Sequence, residues 1–124
     1  MSLGYVFHSP PLRHRTSKWY VSLEEYPFNL WPPYATAGAF ILSNQALIDL
    51  YYASFYTKFL RFDDVFLGLA ARKANIDPFH CNEFYFWKKD YTIEDYQYVI
   101  ASHGYGDSKE LARVWNEQKN AGNA

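Results

Sequence analysis

Cysteine is almost missing from this chain. Cys81 is the only one in 124 residues, which excludes an internal disulfide framework and leaves the redox compartment open. Its expected role is that of a small buried hydrophobe. An excess of either charge is missing too, with 12 Lys+Arg against 13 Asp+Glu and a formal net charge of -1. The chain therefore carries no electrostatic footprint for nucleic acid or an anionic membrane, and a phosphate-bearing ligand would need local cations. No stretch approaches the roughly 18 to 20 continuous apolar residues that a membrane span needs. Met1-Ser2-Leu3-Gly4 has neither the basic nor the apolar region of a signal peptide. Internal repeats, low-complexity tracts and linker-like shifts in composition are absent as well.

Aromatic residues are abundant: 12 Tyr, 10 Phe and 4 Trp make up 21% of the chain. Such a share serves either a thick core or a surface that stacks on flat ligands. Hydrophobic residues at 49% and charged ones at 20% argue against disorder. The length suits one domain with a real core.

The sequence is organised around Phe62-Asp63-Asp64-Val65-Phe66-Leu67-Gly68, two adjacent carboxylates inside an apolar run. Burying them unpaired would be costly. At the mouth of a helix they either cap it or supply a base, and the helix N-terminus favours their charge in both cases.

Gly4 to His8 reads as a strand ended by Ser9-Pro10-Pro11. Arg13, His14, Arg15 and Lys18 form a basic cluster, either a solvated loop or a phosphate site. Lys18 to Ser22 is expected as a strand and Leu23 to Pro27 as the turn that leaves it. Trp31-Pro32-Pro33-Tyr34 is a rigid extended loop, because its prolines fix φ and remove two donors. Ala35 to Ala39, with Gly38, are small enough to let a backbone approach closely. Phe40 to Leu42 is a short strand leading to Ser43, the expected N-cap of a helix over Asn44 to Ser54. The acidic run opens a second helix, for which Asn75 is the stop. Ile76 to His80 is expected as a connection, Glu83 to Trp87 as a strand, and Tyr96 to Ser102 as a strand with one wetter face. Asp107 or Ser108 caps a last amphipathic helix, after which Lys119 to Ala124 is expected as a frayed tail. Interleaved strands and helices point to a layered α/β fold.

Four stretches, taken in order, resemble the β1,3-glycosyltransferase family of the Golgi, whose members transfer galactose, N-acetylgalactosamine or N-acetylglucosamine. They are Lys18-Trp19-Tyr20-Val21-Ser22 with Glu25-Tyr26-Pro27, Pro32-Pro33-Tyr34 through Gly38 to Ser43, Asp63-Asp64-Val65 with Gly68, and Ala101-Ser102-His103. The wording Glu24 to Pro27, Ala35 to Phe40 and Arg113 to Glu117 is most similar to the brainiac-type branch, which implies an N-acetylglucosaminyltransferase that extends a mannose-containing glycolipid core.

The resemblance implies an α/β GT-A fold, of which this chain is an incomplete C-terminal half. Residues 1–118 would be part of the catalytic domain and 119–124 a tail. It implies a UDP-sugar donor, a glycan or glycolipid acceptor, and inverting transfer in β1,3 linkage. Asp64 would be the general base and Asp63, where the family more often has Glu, a supporting residue. His103 would bind a divalent metal, Mn²⁺ or Mg²⁺, alongside an Asp-x-Asp motif that this chain lacks. Trp31, Tyr34, Gly38 and Glu25 would bind substrate. The full-length protein would sit in the Golgi membrane through an N-terminal anchor, its catalytic domain in the lumen. Two other readings stand beside the enzyme: a non-catalytic carbohydrate-binding module, and an inactive fragment.

Overall fold

The computed structural model describes residues 2–124. The chain divides into two compact units, one ending at His80 and the other running Cys81–Ala124.

In the first unit, β1 (Ser2–Phe7) is the middle strand of a three-stranded sheet ordered β2-β1-β3. β2 (Tyr34–Leu42) runs antiparallel to it and β3 (Pro78–His80) parallel. Burial alternates along β1, as it must when one face of a strand packs on a core. The small-residue segment Ala35 to Ala39, read as a separate close-approach stretch, is continuous with the Phe40 strand. It also breaks register. Gly4 pairs with Phe40 and Val6 with Ala35, so Tyr5 alone faces Thr36, Ala37, Gly38 and Ala39. This wide bulge sends the Ala37 amide out of the ladder. The expected connection after Ile76 contains β3 because residues 78–80 continue the ladder beside β1, and the His80 ring takes the Val6 N–H on Nδ1 at 3.1 Å.

Helix α1 (Asn44–Ser54) begins as its sequence implies, with Ser43 Oγ accepting the Ala46 N–H at 3.3 Å. Helix α2 (Asp63–Lys73) ends before Asn75, which adopts φ 53° in the left-handed region. Leu50 of α1 packs on Ala70 and Ala71 of α2, whose small side chains let the two helices meet. A second cluster joins Val21, Trp31, Leu60 and Val65. Val21 is fully buried, a contribution of roughly 1.5–3 kcal/mol for a side chain of this class.

Lys18 to Ser22 is not a strand. It forms turns with a single bridge between Leu12 and Tyr20. The Val21 and Ser22 carbonyls are taken instead by the Arg13 guanidinium, at 2.8 and 2.9 Å. Arg13 thus turns inward, while His14 and Arg15 are exposed and Lys18 lies over the Trp19 ring.

The second unit pairs β4 (Phe84–Tyr85) in parallel with β5 (Ala101–Ser102). Both strands are shorter than expected. Thr92 Oγ1 caps a helical turn, α3 (Ile93–Tyr96), by accepting the Asp95 N–H at 3.1 Å, so the chain cannot extend from Tyr96. The final helix α4 (Ser108–Asn120) is capped by Asp107 and buries Val114 and Gln118. It runs into the expected tail, and Asn123 is tied back by donating to Gln118 Oε1 at 2.9 Å. Cys81 is half-buried, not a core residue; its thiol donates to Glu83 Oε2 at 2.9 Å, and that carboxylate pushes its pKa up.

Candidate functional site

Asp63 and Asp64 form the first turn of α2, where four backbone N–H groups lack intrahelical acceptors. The N-cap is Phe62, whose side chain makes no capping bond, so the carboxylates do that work. Asp63 Oδ1 accepts the Asp64 N–H at 2.9 Å, and Asp64 Oδ1 accepts the Val65 N–H at 2.8 Å. Capping and chemistry are therefore not exclusive for Asp64. Its other oxygen, Oδ2, faces the β2 bulge and accepts the Ala37 N–H at 3.4 Å.

The two acids live in different surroundings. Asp63 is exposed, whereas Asp64 is half-buried. Burial pushes the Asp64 carboxyl above its ordinary value; the Val65 and Ala37 amides pull it back only in part, and the neighbouring Asp63 charge adds to the rise. A carboxyl raised above its ordinary value is a stronger proton acceptor than a free one, which is the direction a general base requires.

Tyr34 stands beside Asp64. Burial raises its hydroxyl pKa, a bond with the Ser9 side chain opposes that, and the Asp64 charge adds to it. Tyr34, Pro33, Ala35, Leu67 and Gly68 line a cavity of about 20 Å³ at which Asp64 is the charged member. That volume admits one water-sized group. Any group larger than a water has to approach Asp64 from its solvent side.

Gly38 lies in the same bulge as Ala37, exposed. Trp31 does not join this group: at 8% exposure it packs against Val21, Leu60 and Val65, its ring 4.2 Å from that of Tyr26. Its stacking surface is used by the core. Glu25 is likewise engaged within the fold. Its Oε2 accepts the Ser22 N–H at 3.0 Å and the Ser22 hydroxyl at 3.1 Å, Ser22 Oγ accepts the Glu25 N–H in return, and Oε1 pairs with Arg61 at 3.1 Å. This is a capping box on a turn.

His103 belongs to the second unit. It follows β5 with its side chain exposed, its N–H on the Tyr85 carbonyl at 3.0 Å and its ring stacked on Phe86 at 6.1 Å. Among the described residues no three His, Cys, Asp or Glu side chains stand within reach of one cation. The metal set that the resemblance implies is thus not assembled from these residues alone, and His103 is its one candidate here.

Two contributors escape a sequence reading. The Ala37 amide is backbone, and only its run of small neighbours hints at it. Gly68 belongs to the acidic motif, but nothing in the sequence says what it touches. A Cβ added there would meet Tyr34 Cβ at 2.6 Å.

Comparison with known proteins matches the galactosyltransferase family over residues 1–82. Beta-1,3-galactosyltransferase brn of Drosophila melanogaster is 58% identical over 119 residues, 95% of this chain and 37% of that protein. Beta-1,3-galactosyltransferase 1 of Homo sapiens is 35% identical over 114 residues, 92% of this chain and 35% of that protein. Beta-1,3-galactosyltransferase bre-5 of Caenorhabditis elegans is 37% identical over 103 residues, 82% of this chain and 32% of that protein. The chain spans about a third of the length of these curated relatives. This chain belongs to the galactosyltransferase family, among relatives of the β1,3 type, and is brainiac-like in sequence.

Proposed function

We propose that this chain carries the catalytic base of an inverting β1,3-hexosyltransferase, and that the base is Asp64. The observation that supports it most is the pairing of a half-buried, pKa-raised carboxylate with an amide that leaves a strand to meet it. Asp64 takes the proton of the acceptor hydroxyl as that oxygen bonds to the donor's anomeric carbon. The bond from that carbon to the diphosphate breaks, UDP leaves with the electron pair, and the configuration inverts in one displacement. Asp63, exposed and bonded to the Asp64 amide, supports the turn without touching the reacting atoms.

The donor is a UDP-sugar carrying galactose, N-acetylgalactosamine or N-acetylglucosamine, and the names of the relatives, all β1,3-galactosyltransferases, favour galactose. The acceptor is a glycan or glycolipid. Gly38, in the bulge beside Ala37, permits close approach of a substrate to this backbone. We assign His103 as one ligand of a divalent cation, Mn²⁺ or Mg²⁺, that neutralises the departing diphosphate. The GT-A fold, a Golgi lumenal site and membrane attachment through an N-terminal anchor belong to the same reading.

Product stereochemistry tests it. The enzyme carrying this segment, given an α-linked UDP-sugar, should yield only the β anomer by NMR, with no glycosylated protein trapped. An α product, or a covalent glycosyl-enzyme, would remove the single-displacement mechanism and the base role with it.

A further inference from the structure

Helix α2 packs tightly on β2 at Gly68, where it has no side chain. A Cβ on Gly68 would meet Tyr34 Cβ at 2.6 Å, the Pro33 carbonyl oxygen at 3.4 Å and Tyr34 Cα at 3.5 Å. The first distance is far inside van der Waals contact and involves an atom fixed to the backbone, so rotation of the Tyr34 side chain cannot relieve it. The helix would have to move instead. Gly68 lies one turn after Asp64, at i+4, on the same face of α2. Moving it away from Tyr34 carries Asp64 away from the bulge, whose amide contact is already long at 3.4 Å.

We infer that Gly68 and the Ala37 amide are positioning elements for Asp64: Gly68 sets how deeply α2 seats against β2, and that depth decides whether the bulged amide reaches the carboxylate. The idea rests on Asp64 as the base. Glycine costs a helix interior roughly 0.5–1 kcal/mol relative to alanine, so its place in α2 needs a reason, and Tyr34 supplies one. The charged and titratable groups around the carboxylate are few. Asp63 adjoins it on α2 and Tyr34 faces it from β2. Among the described residues no cation lines the cavity that Asp64 and Tyr34 share. The Ala37 N–H is therefore a principal donor holding Asp64 in its ionised form, alongside the Val65 N–H of its own helix.

The test is a double-mutant cycle in the active enzyme carrying this segment. Gly68→Ala should lower kcat at least tenfold with the UDP-sugar KM within twofold. In a Tyr34→Gly background, which removes the obstructing Cβ, the same change should cost less than threefold. Equal penalties in both backgrounds, or no penalty in either, would overturn the assignment.

Should Gly68→Ala fail to fold, Ala37→Pro provides an independent arm, because Ala37 is exposed and a bulge tolerates proline. It deletes the donor, so the acid limb of the kcat profile should move to higher pH while KM for the donor stays. An unmoved limb contradicts the inference. Asp64→Asn, assayed alongside, separates the two claims. If it is inactive while Gly68→Ala and Ala37→Pro behave as the parent, positioning fails alone; if it is active, the base assignment itself fails.

Discussion

The Arg13 guanidinium donates to the Tyr26 carbonyl at 2.7 Å, and the same group reaches the carbonyls of Val21, Ser22 and Phe28 at 2.8 to 2.9 Å. One cation thereby satisfies four acceptors of a segment without a ladder of its own. Arg13→Ala should destabilise the protein by about 2–4 kcal/mol in chemical denaturation, because charge-assisted bonds are lost and carbonyls are left unpaired. Arg13→Lys should recover less than half, since a point charge cannot fork to four oxygens. A loss confined to donor binding would return Arg13 to the phosphate role its basic neighbourhood suggests.

The same guanidinium explains a feature that was not legible in the sequence. Lys18 to Ser22 has the aromatic and β-branched content of a strand, but its acceptors are captured by a side chain several residues upstream. Tyr96 to Ser102 alternates like a strand, yet Thr92 and Asp95 make a local cap that outweighs the alternation. Local signals with a mechanism were readable: Ser43, Asn75 and Asp107 each stand where their chemistry implied. The acidic pair was legible as the start of a helix. Its amide partner on β2 was not, because a bulge is a property of strand register.

Asp64 and Glu25 should respond to pH with opposite signs. The folded-state pKa of Asp64 is raised above its ordinary 3.8, so its ionisation opposes folding. That penalty is absent below the ordinary value and complete above the raised one. Asp64→Asn should therefore keep or raise Tm at pH 7 and match the parent in acid. Glu25 is held below its ordinary 4.5, first by the Ser22 N–H. Its contribution is present at neutral pH and is lost as pH falls through the depressed value, so Glu25→Gln should lower Tm at pH 7 only. Thermal melts across pH decide both. A neutral-pH loss for Asp64→Asn would make that carboxylate structural.

His103→Ala should change metal activation without touching the base. The active enzyme with this substitution should need more Mn²⁺ for half-maximal rate and recover in part at high Mn²⁺, since a missing ligand lowers affinity for the ion. The exposed ring stacks on Phe86 at 6.1 Å, a weak contact to lose, so its Tm should stay close to the parent's. A titration curve that overlays the parent's would strike His103 from the ligand set.

The most direct measurement is the turnover of Asp64→Asn in an active enzyme carrying this segment, with Asp63→Asn beside it. A general base contributes to the transition state more than to ground-state binding. The account predicts that Asp64→Asn lowers kcat by about a hundredfold or more with donor affinity nearly intact, and that Asp63→Asn costs far less. Equal losses at the two positions, or a loss confined to KM, would contradict it.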